Sequence, residues 1–130
     1  MSTLKANTIT GTSTAGSISV TGEGNSTTTN LQQGLAKGWV GSVTDSSQSI
    51  EGDSFNVSGF TDIGLGNSNH SLTNNMNTGA NTYSVQNTAA GQYPYQGIAN
   101  SSSEFKLRTV NSSGGSADGV KNGTIHGDLA

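Results

Sequence analysis

Met1 aside, the first thirty residues supply only four large apolar side chains, Leu4, Ile9, Ile18 and Val20. Burying all four would contribute about 6–12 kcal/mol. Ordering thirty backbones costs about 30–60 kcal/mol. This stretch cannot fold by itself. Its strand-like pieces, LKANTIT and GSISVTG, flank the soft loop GTSTAG. Residues 1–30 are therefore read as an extended arm for assembly or attachment. Leu4, Ile9, Ile18 and Val20 are the side chains it offers to neighbouring chains or to a larger particle.

The same scarcity runs through the whole chain, which is 29 % hydrophobic and 10 % charged. Ser, Thr, Asn and Gly fill about 70 of the 130 positions instead. So little apolar material suggests disorder first. Against that, the net charge is only -3, and the apolar residues are mostly Val, Ile, Leu and aromatics spaced as strands space them. The reading that follows is a β protein of one domain plus an appendage, stabilised by assembly. Five Lys+Arg against eight Asp+Glu leave no basic patch for phosphates, so nucleic acid is not an expected partner. No run approaches the roughly 18 apolar residues of a membrane span. The opening MSTLKANTIT lacks the apolar core of a signal peptide, which points to synthesis in a cytoplasm. With no cysteine, disulfides, thiolate zinc sites and Cys nucleophiles are all excluded.

Leu31, Leu35 and Trp39 recur at i, i+4 and i+8 in NLQQGLAKGWVG, one face of a short helix over 31–38. Asn30 suits its N-cap, with Gln33 completing a capping box. From Val43 onward, short alternating segments between turn clusters predict an antiparallel sandwich. The candidate strands lie near 49–50, 54–59, 69–73, 82–87, 96–99, 104–110 and 123–127. FKLRTV is the clearest, with Phe105, Leu107 and Thr109 on one face and Lys106 and Arg108 on the other. The expected architecture is all-β, a small antiparallel β-sandwich over 31–130 with one short helix, behind the extended arm. Leu31, Leu35, Trp39, Phe55, Val57, Phe60, Leu72, Phe105 and Leu107 form its expected core. Pro94, between Tyr93 and Tyr95, suits an edge strand or turn, and Asn111–Gly119 reads as an exposed hairpin tip.

Catalysis needs groups whose pKa and position are controlled. The inventory here is thin: His70, His126 and eight acids scattered singly. No G-x-S-x-G elbow is present, and no His or Asp spacing matches a metal-binding motif. One histidine from each of three subunits converging on a threefold axis is the remaining route to a metal. GEGNST, Gly22–Thr27, resembles half a phosphate loop but has neither its Lys nor a preceding apolar strand. N-x-S/T sequons at Asn25, Asn56, Asn69, Asn100, Asn111 and Asn122 arise readily by chance in such a composition. The chain is read as a non-enzyme without cofactors.

The rare residues carry more information. GLAKGWV and DSFNVSGFTDIGLGNSNHSLTNNM together resemble a small β-rich module of tail fibres and other virion proteins of tailed bacteriophages. Leu35, Ala36, Lys37, Trp39 and Val40 match its first part. Phe55, Asn56, Val57, Ser58, Asp62, Gly64, Thr73, Asn74 and Met76 match the rest. STLKANTIT and HGDLA are similar to the two ends of such proteins in marine and cyanobacterial phages. The resemblance implies a virion structural protein, made in the host cytoplasm and exposed on the particle. It also implies a homotrimer, with other virion proteins of tail or capsid as partners. With no long shaft, the chain suits a fibre-type accessory part joined through its arm. A capsid decoration or cement protein is the alternative, and a carbohydrate-binding adhesin facing a host-surface glycan with Trp39, Tyr93 and Tyr95 is the third. Ser68 and His70 stand where the module has apolar or aromatic residues. His70 is accordingly expected at a surface or subunit contact.

Overall fold

In the computed structural model, which describes residues 3–11, 18–21, 28–45, 48–80 and 83–130, the alternation of FKLRTV is realised. Phe105, Leu107 and Thr109 are buried, and Lys106 and Arg108 point outward. The chain divides into two units, Met1–Leu35 and Ala36–Ala130. The expected boundary fell at Asn30.

In the first unit, strands β1 (Ser19–Thr21) and β2 (Thr28–Asn30) pair antiparallel, with Val20 opposite Thr29. Leu31 N–H donates to the Ile18 carbonyl at 2.8 Å. One helical turn, α1 (Leu31–Gly34), follows. Leu4, Ile9 and Val20 are exposed, and Ile18 and Leu31 are half-buried. Gly22–Thr27, most of the GTSTAG loop, and the side chains of Asn30 and Gln33 lie outside the described residues.

The second unit is a sandwich of two four-stranded antiparallel sheets. Its strands are β3 (Gly38–Val43), β4 (Ser49–Phe55), β5 (Val57–Gly64), β6 (Asn67–Leu72), β7 (Ser84–Ala90), β8 (Tyr93–Ser101), β9 (Glu104–Val110) and β10 (Val120–His126). Sheet I runs β4-β3-β10-β7 and sheet II runs β5-β6-β9-β8. The chain changes sheet after β4, β6, β7 and β9. At the start of the last crossing it folds back in the expected exposed hairpin tip: Val110 bridges Ser116 antiparallel, and Asn111 N–H donates to the Gly115 carbonyl at 2.8 Å. Pro94 does lie on an edge strand, β8, where a missing N–H costs no ladder bond on the open side.

The expected strand over 54–59 breaks at Asn56, whose φ of 58° turns the chain from sheet I into sheet II. Asparagine tolerates this left-handed backbone better than most residues. Its side chain also fastens the corner. Asn56 Nδ2 donates to the Lys37 carbonyl at 2.8 Å, and Asn74 N–H donates to Asn56 Oδ1 at 2.7 Å. Beyond it, Met76 bridges to Leu129 and is 1 % exposed. The residues Lys37, Asn56, Asn74 and Met76 thus gather at one end of the sandwich.

The core contains Val40, Leu72, Met76, Tyr83, Ala99, Phe105, Leu107 and Ile125, with Ile50, Val57, Val85 and Leu129 packed on it. Gly123 lets the sheets close: a Cβ there would stand 2.9 Å from Leu107 Cδ1 and 3.1 Å from Phe105 Cε2. Three expected core residues are instead exposed: Leu35, Trp39 and Phe55. The helix expected over 31–38 stops at Gly34, and strand period replaces helical period from Gly38. In β3, Gly38, Val40 and Ser42 take the inner face, which sends Trp39 outward. Phe55 stands directly opposite Trp39 in the ladder and so faces the same way. Phe60 is half-buried rather than central.

Candidate functional site

His70 lies on β6, whose sequence NSNHSL gives alternating burial with Ser68, His70 and Leu72 inward. The histidine expected at a surface or subunit contact is 0 % exposed. The correction has a simple cause. The imidazole is flat and aromatic enough to serve as a core side chain once one nitrogen finds a partner. Its ring stacks on Phe105 with centroids 4.9 Å apart and planes 16° apart. Phe60 meets it edge-on at 5.5 Å. Nε2 lies 2.9 Å from Ser42 Oγ on the opposite sheet, and the Ser42 hydroxyl serves either tautomer as donor or acceptor. His70 therefore ties sheet II to sheet I.

Lys121 was not singled out from the sequence, yet it is among the most buried side chains. Its Nζ donates to Thr44 Oγ1 at 2.6 Å, and that hydroxyl accepts from Gly119 N–H at 3.2 Å. The signal that would have found it is the alternation in VKNGTIH. Lys121, Gly123 and Ile125 share one face, but the expected strand began only at Gly123. Ser42, Thr44, Ser68 and Thr109 complete a polar end of the core.

Burial sets the charge state here. Removal from water pushes the His70 pKa from 6.5 down to about 4, and the nearby Lys121 ammonium adds to the shift. Desolvation likewise lowers Lys121 to about 8, while Asp118 and Asp62 oppose the shift. At neutral pH, His70 is an uncharged aromatic spacer. Its Nδ1 and Ser68 Oγ are buried without a hydrogen-bond partner among the described residues. His70 and Lys121 are sealed from solvent, so a substrate in solution has no direct contact with either. Their arrangement suits packing and sheet-to-sheet fastening.

The outer surface gathers different chemistry. Trp39 (39 % exposed) and Phe55 (50 %) sit side by side on sheet I. Tyr93 and Tyr95 are 60 and 61 % exposed at the edge of sheet II, with the Arg108 guanidinium 5.0 Å from the Tyr95 ring centroid. His126, at the end of β10 opposite Ser84, is half-buried and far along the strand register from the Lys121 end. Among the described residues, no three of His, Cys, Asp and Glu gather as a metal site. No helix among them is long and apolar enough to cross a membrane. Comparison with known protein families, curated proteins and solved structures gives no match.

Proposed function

We propose that this chain is a non-enzymatic structural protein of a tailed-phage virion. In this reading it is a fibre-type accessory part that assembles as a homotrimer and joins the particle through residues 1–30. The observation that carries the reading is the N-terminal unit, where Leu4 is 82 % and Ile9 57 % exposed and Val20 is also open to solvent. A segment that presents most of its large apolar side chains outward gains stability when a partner covers them. The resemblance to phage virion modules supplies the class of partner. The sealed positions of His70 and Lys121 agree with a role that handles no substrate, since a general base must come within hydrogen-bond reach of the proton it removes.

Deleting residues 2–22 tests the attachment. The truncated chain should fail to co-sediment with particles while its sandwich unfolds at an unchanged midpoint. Attachment that survives the deletion defeats the arm assignment. Light scattering should give a trimer, and a monodisperse monomer at micromolar concentration would contradict the fibre arrangement. Cryo-electron microscopy of the particle separates a tail position from a head position, the latter making the chain a decoration protein.

A further inference from the structure

The five cations of this acidic chain are unevenly placed. Lys37 and Lys121 are buried, and Lys5 belongs to the N-terminal unit. Lys106 and Arg108 stand together on the outer face of sheet II. Neither forms an ion pair with a described residue. Glu104, the neighbouring acid along β9, is held instead by the Asn69 amide at 2.9 Å and by the Asn100 amide.

The strand register builds a row across this face. Asn67 on β6 lies opposite Arg108 on β9, and Arg108 lies opposite Gln96 on β8. The β8–β9 register shifts between Pro94 and Gln96, which lifts Tyr95 out of the regular ladder. Arg108 lies over the Tyr95 ring, and Tyr93 continues the aromatic edge. Cation–π attraction holds the guanidinium near the ring without using up its N–H donors, whose planar fork matches a carboxylate bidentately. A polypeptide partner anchors its affinity in desolvated pockets that receive aromatic or aliphatic side chains. This face offers flat exposed rings, amides and unpaired cations, which suit sugar faces, hydroxyls and carboxylates.

We propose that the outer face of sheet II, from Tyr93 and Tyr95 across Arg108 to Asn67 with Lys106 beside it, binds an acidic polysaccharide through its carboxylates. The inference goes beyond the virion role and does not depend on it.

The test uses the full chain in biolayer interferometry against immobilised polygalacturonate and polysialic acid, with dextran and polyglutamate as neutral-sugar and acidic-peptide controls. At least one acidic polysaccharide should bind, and dextran and polyglutamate should bind much more weakly. Arg108→Lys, which keeps the charge and loses the planar fork, should weaken binding by about tenfold or more, and Tyr95→Ala similarly. Lys106→Gln should have a smaller effect. These side chains lie outside the core, so the variants' unfolding midpoints serve as the check that the fold is retained. Three results would overturn the proposal. One is no binding to either acidic polysaccharide. Another is polyglutamate binding of equal strength, which would mean a simple charge effect or an acidic protein partner. The last is self-association that Arg108→Gln abolishes, which would assign the face to a second copy.

Discussion

The two ends of the sandwich core solve the same packing problem with opposite chemistry. At one end Phe105, Leu72, Met76, Tyr83 and Ile125 exclude water by bulk, and the Tyr83 hydroxyl donates to the Glu104 carbonyl at 2.6 Å. At the other, Ser42, Thr44, Ser68, Thr109 and Lys121 occupy inward positions that apolar residues fill in richer sequences. His70 joins the two, stacked on Phe105 and bonded to Ser42. A chain with little apolar material can thus close a core by pairing inward hydroxyls with buried nitrogen. The cost is dependence on protonation state, because an unpaired buried charge is far more expensive than a missing methyl group.

That contrast predicts unequal responses. Phe105→Ala should be the most damaging substitution, destabilising by about 3–5 kcal/mol in denaturant unfolding, because the sheets meet closely around it. An effect of a few tenths would erase the distinction between the ends. Acid comes next. The folded-state pKa of His70 is depressed from 6.5 to about 4, so the unfolded chain binds the extra proton first. His70 therefore contributes a stability that is complete above pH 6.5 and is lost as pH falls toward 4. By linkage this amounts to about 3 kcal/mol. Denaturant midpoints measured across that window should fall in wild type and flatten in His70→Phe.

Lys121→Met removes the buried charge at similar volume and should leave stability at pH 7 unchanged or raise it by about 1–3 kcal/mol. It should also remove a rise in stability between pH 8 and 10.5. In that range the unfolded lysine still holds the proton that the folded one, with its pKa near 8, has released. The smallest effect belongs to Trp39→Ala on the outer face. A cost of about 1 kcal/mol or less is expected, whereas a loss comparable with Phe105→Ala would mean that the sole tryptophan is core after all.

Much of the sandwich was legible because strand alternation survives even in a polar chain. FKLRTV, the edge proline and the short strands between turn clusters all carried their signal. The β3 strand was hidden by coincidence: Leu31, Leu35 and Trp39 happen to keep helical spacing, while Gly38, Val40 and Ser42 keep strand spacing through the same residues. Propensity could not arbitrate, because the glycines weaken a helix and a strand alike. The polar core was illegible for a different reason. Serine, threonine and histidine read as surface residues until a register places them opposite a partner, and Ser42 lies 28 residues from His70. The Asn56 corner was likewise invisible, since a single left-handed residue leaves no periodic trace.

The central claim is that His70 is a neutral, dry core residue tied to Ser42. The most direct measurement is an NMR titration of the His70 ring nitrogens and carbons from pH 8 to 3.5. The structure predicts a neutral imidazole through pH 6 and a midpoint near 4, or unfolding before it is reached. A reversible midpoint near the ordinary 6.5, with the fold intact, would contradict it.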